Sequence, residues 1–230
     1  MDTQVALIID VADSRRVEDF PAQRDDLLVT LSQRHRHKGW IAADYAVTAW
    51  DEFQALVVAP VSLPWVVWDI LLQVYPVSLR IAIGGGEVEH YGKGNKPINQ
   101  SATGEAFYLA REAMNGLRKP RHGAEQARMA LRWNEPLIEA AGNGILRLAD
   151  ALIARITRKQ WEIISMYEQF RKQADVAEAL EKSESTISRS LSSAHYWEIQ
   201  ASLRDLASVL SCRLESSTGA GVETNAEGMA

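Results

Sequence analysis

Acidic side chains stand at the ends of apolar runs in the first quarter of the chain. "QVALIID" (4–10) ends in Asp10, "DVADS" carries Asp13, and "TAWDEFQALVVA" (48–59) sets Asp51 and Glu52 between two apolar stretches. If the runs at 4–10 and 53–59 are antiparallel neighbours in one sheet, Asp10 and Asp51 share an edge, with Asp13 one short loop away. Three converging carboxylates repel one another unless a cation or shared protons offset the charge. Oxygen-only ligands of this kind suit Mg2+ or Mn2+ better than zinc, and two such ions clamp a triphosphate and activate a hydroxyl for phosphoryl transfer. The competing reading is local: Asp13-Ser14 caps a helix start, and Asp51 tolerates a tight turn. Spacing alone leaves both standing.

Other residues bear on phosphate or metal chemistry. Gly84-Gly85-Gly86 would let a phosphate approach, but three glycines between strands read first as a hairpin turn. "GEVEHYGKG" misses the P-loop spacing by one residue and has no Ser or Thr after Lys93. Arg80, Lys93 and Lys96 either meet phosphates from the side or are solvated loop charges. His35 and His37, in "RHRHK", ligate a metal only if their rings converge; at a basic helix end they are expected to face water.

These side chains need a frame. "QVALIID" is a continuous apolar run, as in a buried central strand. Pro21 opens a helix with Leu27, Leu28 and Leu31 on one face. Residues 44–49 and 53–59 are strands of a hairpin, and a helix runs from Pro64 to Pro76. A strand follows over 77–84, with 87–91 returning beside it, then a helix across "GEAFYLAREAMNGL" and a short strand at 127–133. The order β-α-β-β-α-β is the ferredoxin-like plan, an α+β fold.

The 230 residues are 47% hydrophobic, with a net charge of −5 and one cysteine, Cys212. That charge gives no overall basic field for nucleic acid. A lone cysteine excludes an intramolecular disulfide framework and a cysteine zinc cluster. The acid-flanked start, "MDTQVALIID", is no secretory leader, and even "PWVVWDILL" is broken by Asp69 before it could cross a membrane. The expectation is a cytoplasmic protein.

From Glu135 onward the pattern is helical, with a turn expected at Gly142-Asn143-Gly144. "QADVAEALEKSESTISRSL" (173–191) fits a helix-turn-helix: Val176, Leu180 and Ile187 face a core, and Ser183 or Ser185 caps the second helix. "ITRKQWEIISMY" supplies a support helix with Trp161, Ile164 and Tyr167 at helical spacing. Ser185, Thr186, Ser188 and Arg189 are placed to enter a major groove, Arg189 as the bidentate contact, while Lys172 and Lys182 hold phosphates. Residues 157–210 carry seven Lys or Arg against eight Asp or Glu, and Glu181-Lys182 occupies the turn where glycine and an apolar residue are usual. A helical dimerisation or protein-docking module is the alternative.

"IIDVADSR", "DEFQALVVAP", "LRIAIGGGEV" and "GEAFYLAREAM" together resemble the SatD family in order and spacing. That family is similar to the palm of class III nucleotide cyclases and GGDEF diguanylate cyclases; the C-terminal helices resemble sigma-factor region-four and LuxR units. The resemblance implies a palm over 1–134, a helical linker over 135–156, a helix-turn-helix over 157–211 and a disordered tail over 212–230. It implies that Asp10 and Asp51 hold two metal ions, with Asp13 and Glu52 beside them. Trp50, Arg80, Gly84, Gly85, Tyr108 and Arg111 then face a nucleotide. Trp50 stands where the pattern has glycine; Tyr108 and Glu112 stand where cyclases have an asparagine and an arginine. The implied function is a dimeric DNA-binding regulator whose palm binds a nucleotide, with or without Mg2+ or Mn2+. The alternatives are an active metal-dependent nucleotidyl cyclase or nucleotidyltransferase, and a non-catalytic adaptor.

Overall fold

The computed structural model describes residues 3–12, 14, 20–90, 98, 102–118 and 127–212. Along the chain run β1 (Gln4–Val11), α1 (Phe20–His37), β2 (Ala46–Ala49), β3 (Glu52–Val57), α2 (Leu63–Val74), β4 (Leu79–Gly86), β5 (Glu89–His90), β6 (Ala102–Thr103), α3 (Glu105–Arg118), β7 (Met129–Trp133), α4 (Pro136–Ile153), α5 (Arg158–Phe170), α6 (Gln173–Ala179), α7 (Glu184–Ser193) and α8 (Tyr196–Ser211). The fold is α+β. Its mixed five-stranded sheet has the order β2-β3-β1-β4-β7; β1 is antiparallel to β3 and β4, and β7 is parallel to β4.

β1 lies at the centre of the sheet, and both of its faces are covered. Alternation sends Ala6 and Ile8 to one face, where they meet Ala106, Ala110, Ala113 and Met114 of α3. Val5, Leu7 and Ile9 face the other side, in a core shared with α1, α2 and the C-terminal helices. That core continues without a break to Leu210. Trp68 of α2 stacks on Trp161 of α5 at 5.8 Å between centroids, and Tyr75 stacks on Trp161 at 5.1 Å. Glu168 of α5 accepts hydrogen bonds from Trp68 Nε1 at 2.8 Å and from Tyr196 Oη at 2.9 Å.

Three sequence expectations change. Gly84-Gly85-Gly86 is no hairpin turn but the end of β4, paired with Gln4–Ala6. A Cβ at Gly84 would lie 2.1 Å from the Ala106 carbonyl oxygen, so glycine here lets α3 sit on the sheet. Of the segment expected at 87–91, the described residues 87–90 do not return beside β4; β5 pairs with β6 in a separate two-stranded sheet.

The third change is at Gly142-Asn143-Gly144, which lies inside an uninterrupted α4. Asn143 there accepts from the Leu131 N–H at 3.0 Å and donates to the Leu131 carbonyl at 2.8 Å. Glu139 accepts from the Trp133 N–H at 2.9 Å, and Asp150 from the Arg128 N–H at 2.9 Å. Side chains of α4 thus satisfy backbone groups on the open side of β7, which would otherwise template another strand. The residues expected as a linker therefore pack against β7 and α8.

Candidate functional site

Register brings the acid corner together. β1 pairs Asp10 with Glu52 of β3 on one side and with Arg80 of β4 on the other. Asp10 continues the Ala6, Ile8 alternation and so points to the α3 face. Arg111 and Arg118 reach down from α3; seven residues separate them, about two helical turns, so they share a face.

Asp10 and Glu52 are each 3% exposed. Arg80 Nη1 donates to Asp10 Oδ2 at 2.6 Å, and Arg118 Nη2 donates to Asp10 Oδ1 and, at 3.2 Å, to Glu52 Oε2. Arg111 grips Glu52 with both nitrogens, Nη1 to Oε2 at 2.6 Å and Nη2 to Oε1 at 2.7 Å. Thr48 Oγ1 adds a bond to Oε1 at 2.6 Å. Burial alone would raise the Glu52 pKa, but bonds from Arg111 and Thr48 and the charges of Arg111 and Arg118 outweigh it, leaving it below the ordinary value.

All four carboxylate oxygens are thus bonded by the chain itself. Three guanidinium groups already offset two negative charges, so a divalent cation would enter a corner with net positive charge and would have to displace or crowd the donors already on every oxygen. The residues present do not fit the expected Mg2+ or Mn2+. Asp51, assigned with Asp10 to that metal, is displaced by one residue: Glu52 is the partner of Asp10, and a one-residue change of register moves a side chain to the other face. The Asp51 carboxylate instead accepts from Ser14 Oγ at 3.1 Å, and its carbonyl accepts from the Val11 N–H at 2.9 Å. Asp13 lies outside the described residues, as do Lys93 and Lys96. Among the described residues no group of three or more His, Cys, Asp or Glu is placed to hold a metal.

The nucleotide set divides. Arg80 and Arg111 meet at the acid corner. Gly84 and Gly85 lie four and five residues further along β4, about 13 Å or more away. The space a Cβ would fill is taken at Gly84 by α3 and at Gly85 by the Trp133 ring. Tyr108 is 73% exposed on α3, and Trp50 is 59% exposed in the β2–β3 turn, so its indole is not buried against the acids.

In the C-terminal helices, Thr157 and Gln160 form a capping box that starts α5. α6 and α7 are joined by a turn in which Glu181 takes a left-handed φ of 52°. Ser183 caps α7, accepting from the Thr186 N–H at 3.3 Å. Ile187 and Leu191 are fully buried, while Ser185 and Arg189 are exposed one turn apart and Thr186 and Ser188 are half-buried. Lys172 and Lys182 are exposed.

One cluster escaped the sequence reading. His35 does not face water; it is completely buried between α1 and α2. Its Nε2 lies 3.0 Å from Asp69 Oδ2 and its Nδ1 2.8 Å from Tyr45 Oη. Burial would raise the Asp69 pKa, but the His35 bond and the charge of Arg34 hold it below the ordinary value. The ionised carboxylate only accepts, so Nε2 carries the proton. The signal was an acid inside "PWVVWDILL": a charge in an apolar helix face needs a buried partner.

Comparison with curated proteins finds no match. The family model described as SatD family (SatD) matches residues 4–208, from the first residue of β1 into α8. The chain therefore belongs to the SatD family.

Proposed function

We propose that this chain is a cytoplasmic DNA-binding regulator: a helix-turn-helix fixed to a ferredoxin-like palm of the cyclase and GGDEF type whose arginines have taken over the acid corner. The observation that carries the reading is α7. It buries Ile187 and Leu191, is capped by Ser183, and turns Ser185 and Arg189 outward beside Lys182. That is the arrangement a recognition helix needs, with Arg189 as a fork for a guanine edge or a phosphate and Lys172 and Lys182 as phosphate contacts. The near-neutral charge of these helices makes one copy a weak reader, so a homodimer on two half-sites about 34 Å apart is part of the proposal. At the palm, a nucleotide's phosphates would meet the outer edges of Arg80, Arg111 and Arg118, in place of a metal.

Footprinting and gel-shift titration test the reading. A sequence-selective footprint is expected; Arg189→Ala costs about tenfold or more in affinity, and Lys172→Ala lowers the salt slope by about 1. Binding without sequence preference at low salt would sink it. The enzymatic alternative, a metal-dependent nucleotidyl cyclase or nucleotidyltransferase, is favoured by one observation, that Asp10 and Glu52 sit side by side on neighbouring strands. Incubation with ATP, GTP, CTP and UTP and Mn2+, read by mass spectrometry, is expected to give no product. A cyclic or linked nucleotide that disappears with Asp10→Ala and Glu52→Ala would replace the regulator by an enzyme.

A further inference from the structure

A cleft of about 700 Å³ runs along the seam where α1 and α2 meet α5 and α8, a volume typical of small-molecule sites. One wall carries Arg34, Lys38 and Trp65; the other carries Arg171, Gln200 and Arg204. The acids in these walls, Asp69 and Glu168, are already bonded, the first by Arg34 and His35 and the second by Trp68, Tyr196 and Arg171. Four cations against two acids leave a surplus of two positive charges. Arg204 has no side-chain partner among the described residues.

A second, independent observation lies in the same wall. Gln200 is 9% exposed, and its Nε2 is the single buried side-chain polar atom without a hydrogen-bond partner among the described residues. Folded chains keep few such atoms, because a buried donor without an acceptor loses its water and gains nothing. An unmet donor, surplus positive charge and a half-buried indole therefore line one cleft.

We infer that this cleft binds a small phosphorylated aromatic molecule of the nucleoside monophosphate class. The phosphate dianion matches the surplus charge and takes Arg204 as its free fork. The ring lies against Trp65, and a rotation of Gln200 brings its amide to an acceptor on the ligand. The site is separate from the Asp10–Glu52 corner, and the inference stands whether or not α7 reads DNA.

The test is titration of the full chain with AMP, GMP, CMP and UMP, and with inorganic phosphate alone, followed by calorimetry and tryptophan fluorescence. Saturable binding of at least one mononucleotide is expected, with inorganic phosphate binding at least about tenfold more weakly. Arg204→Gln, a change at an exposed position, weakens binding about tenfold without moving the melting temperature. Gln200→Leu weakens it as well, although the fold gains stability. No saturable binding of any mononucleotide, unchanged affinity in both variants, or equal affinity for inorganic phosphate would overturn the assignment.

Discussion

The acid corner and the seam cleft are built from the same materials and end in opposite states. At the corner, two buried carboxylates present four oxygens, and Arg80, Arg111, Arg118 and Thr48 bond every one of them. At the seam, Asp69 and Glu168 are bonded just as fully, yet the wall retains an amide without an acceptor and more cations than anions. Paired acids at the end of a central strand therefore do not by themselves make a metal centre. What decides is whether the chain's own donors have taken the oxygens, because displacing a bonded guanidinium costs a cation much of what it would gain.

Removing Arg118 tests the corner most severely. It bonds both acids, so Arg118→Ala leaves Asp10 Oδ1 without its donor and takes one bond and one nearby charge from Glu52, and chemical denaturation should show a loss of about 3 kcal/mol. Neutralising the acids in that background, with Asp10→Asn and Glu52→Gln, should restore part of the loss, since an amide is cheaper to bury than an unpaired charge. If Arg118→Ala kept its stability and gained Mn2+ binding, the corner would be an open metal site and the contrast with the seam would collapse.

The corner was half legible in the sequence. Asp10 and Glu52 were visible as acids ending apolar runs, and the hairpin that joins β2 to β3 was visible from its spacing. Their partners were not. Arg118 lies 108 residues from Asp10, and Arg111 lies 59 from Glu52. No local pattern fixes how α3 is rotated on the sheet; that depends on Gly84 admitting the helix backbone. The register was lost for a related reason: hairpin spacing joins β2 to β3 but does not fix how β3 slides along β1, and the β1–β3 ladder sets Glu52, not Asp51, opposite Asp10. Gly142-Asn143-Gly144 misled because turn chemistry and edge-strand capping use the same residue types, and α4 uses Asn143 for the second. The seam was invisible throughout, since Gln200 becomes an unmet donor only once α8 is packed.

A smaller effect, of opposite sign, separates the two sites. Replacing a bonded polar group destabilises, whereas replacing an unbonded one relieves the fold. Gln200→Leu should raise stability by about 1 kcal/mol, seen as a melting temperature higher by about 2–4 °C. A lower melting temperature would mean that the amide already has a partner within the fold, and the seam would then be as closed as the corner.

The smallest effect is in the acid limb of stability, where both sites should respond alike. Glu52 and Asp69 each hold a pKa below the ordinary value, near 4.5 for the first and 3.8 for the second, because nearby cations overcome burial. Between the folded and unfolded pKa values the unfolded chain binds the proton and the folded chain does not. Each group's contribution is therefore complete above its ordinary value and is lost as pH falls through the folded pKa. Stability measured by urea at a series of pH values should decline below about pH 4.5, and Glu52→Gln should flatten that decline. The same curve for Asp69→Asn should flatten too, over a range set about half a unit lower by aspartate's lower ordinary pKa. If Glu52→Gln leaves the acid limb as steep as in the parent, the arginines do not hold that carboxylate ionised, and the saturation that distinguishes the corner from the seam fails at its own residue.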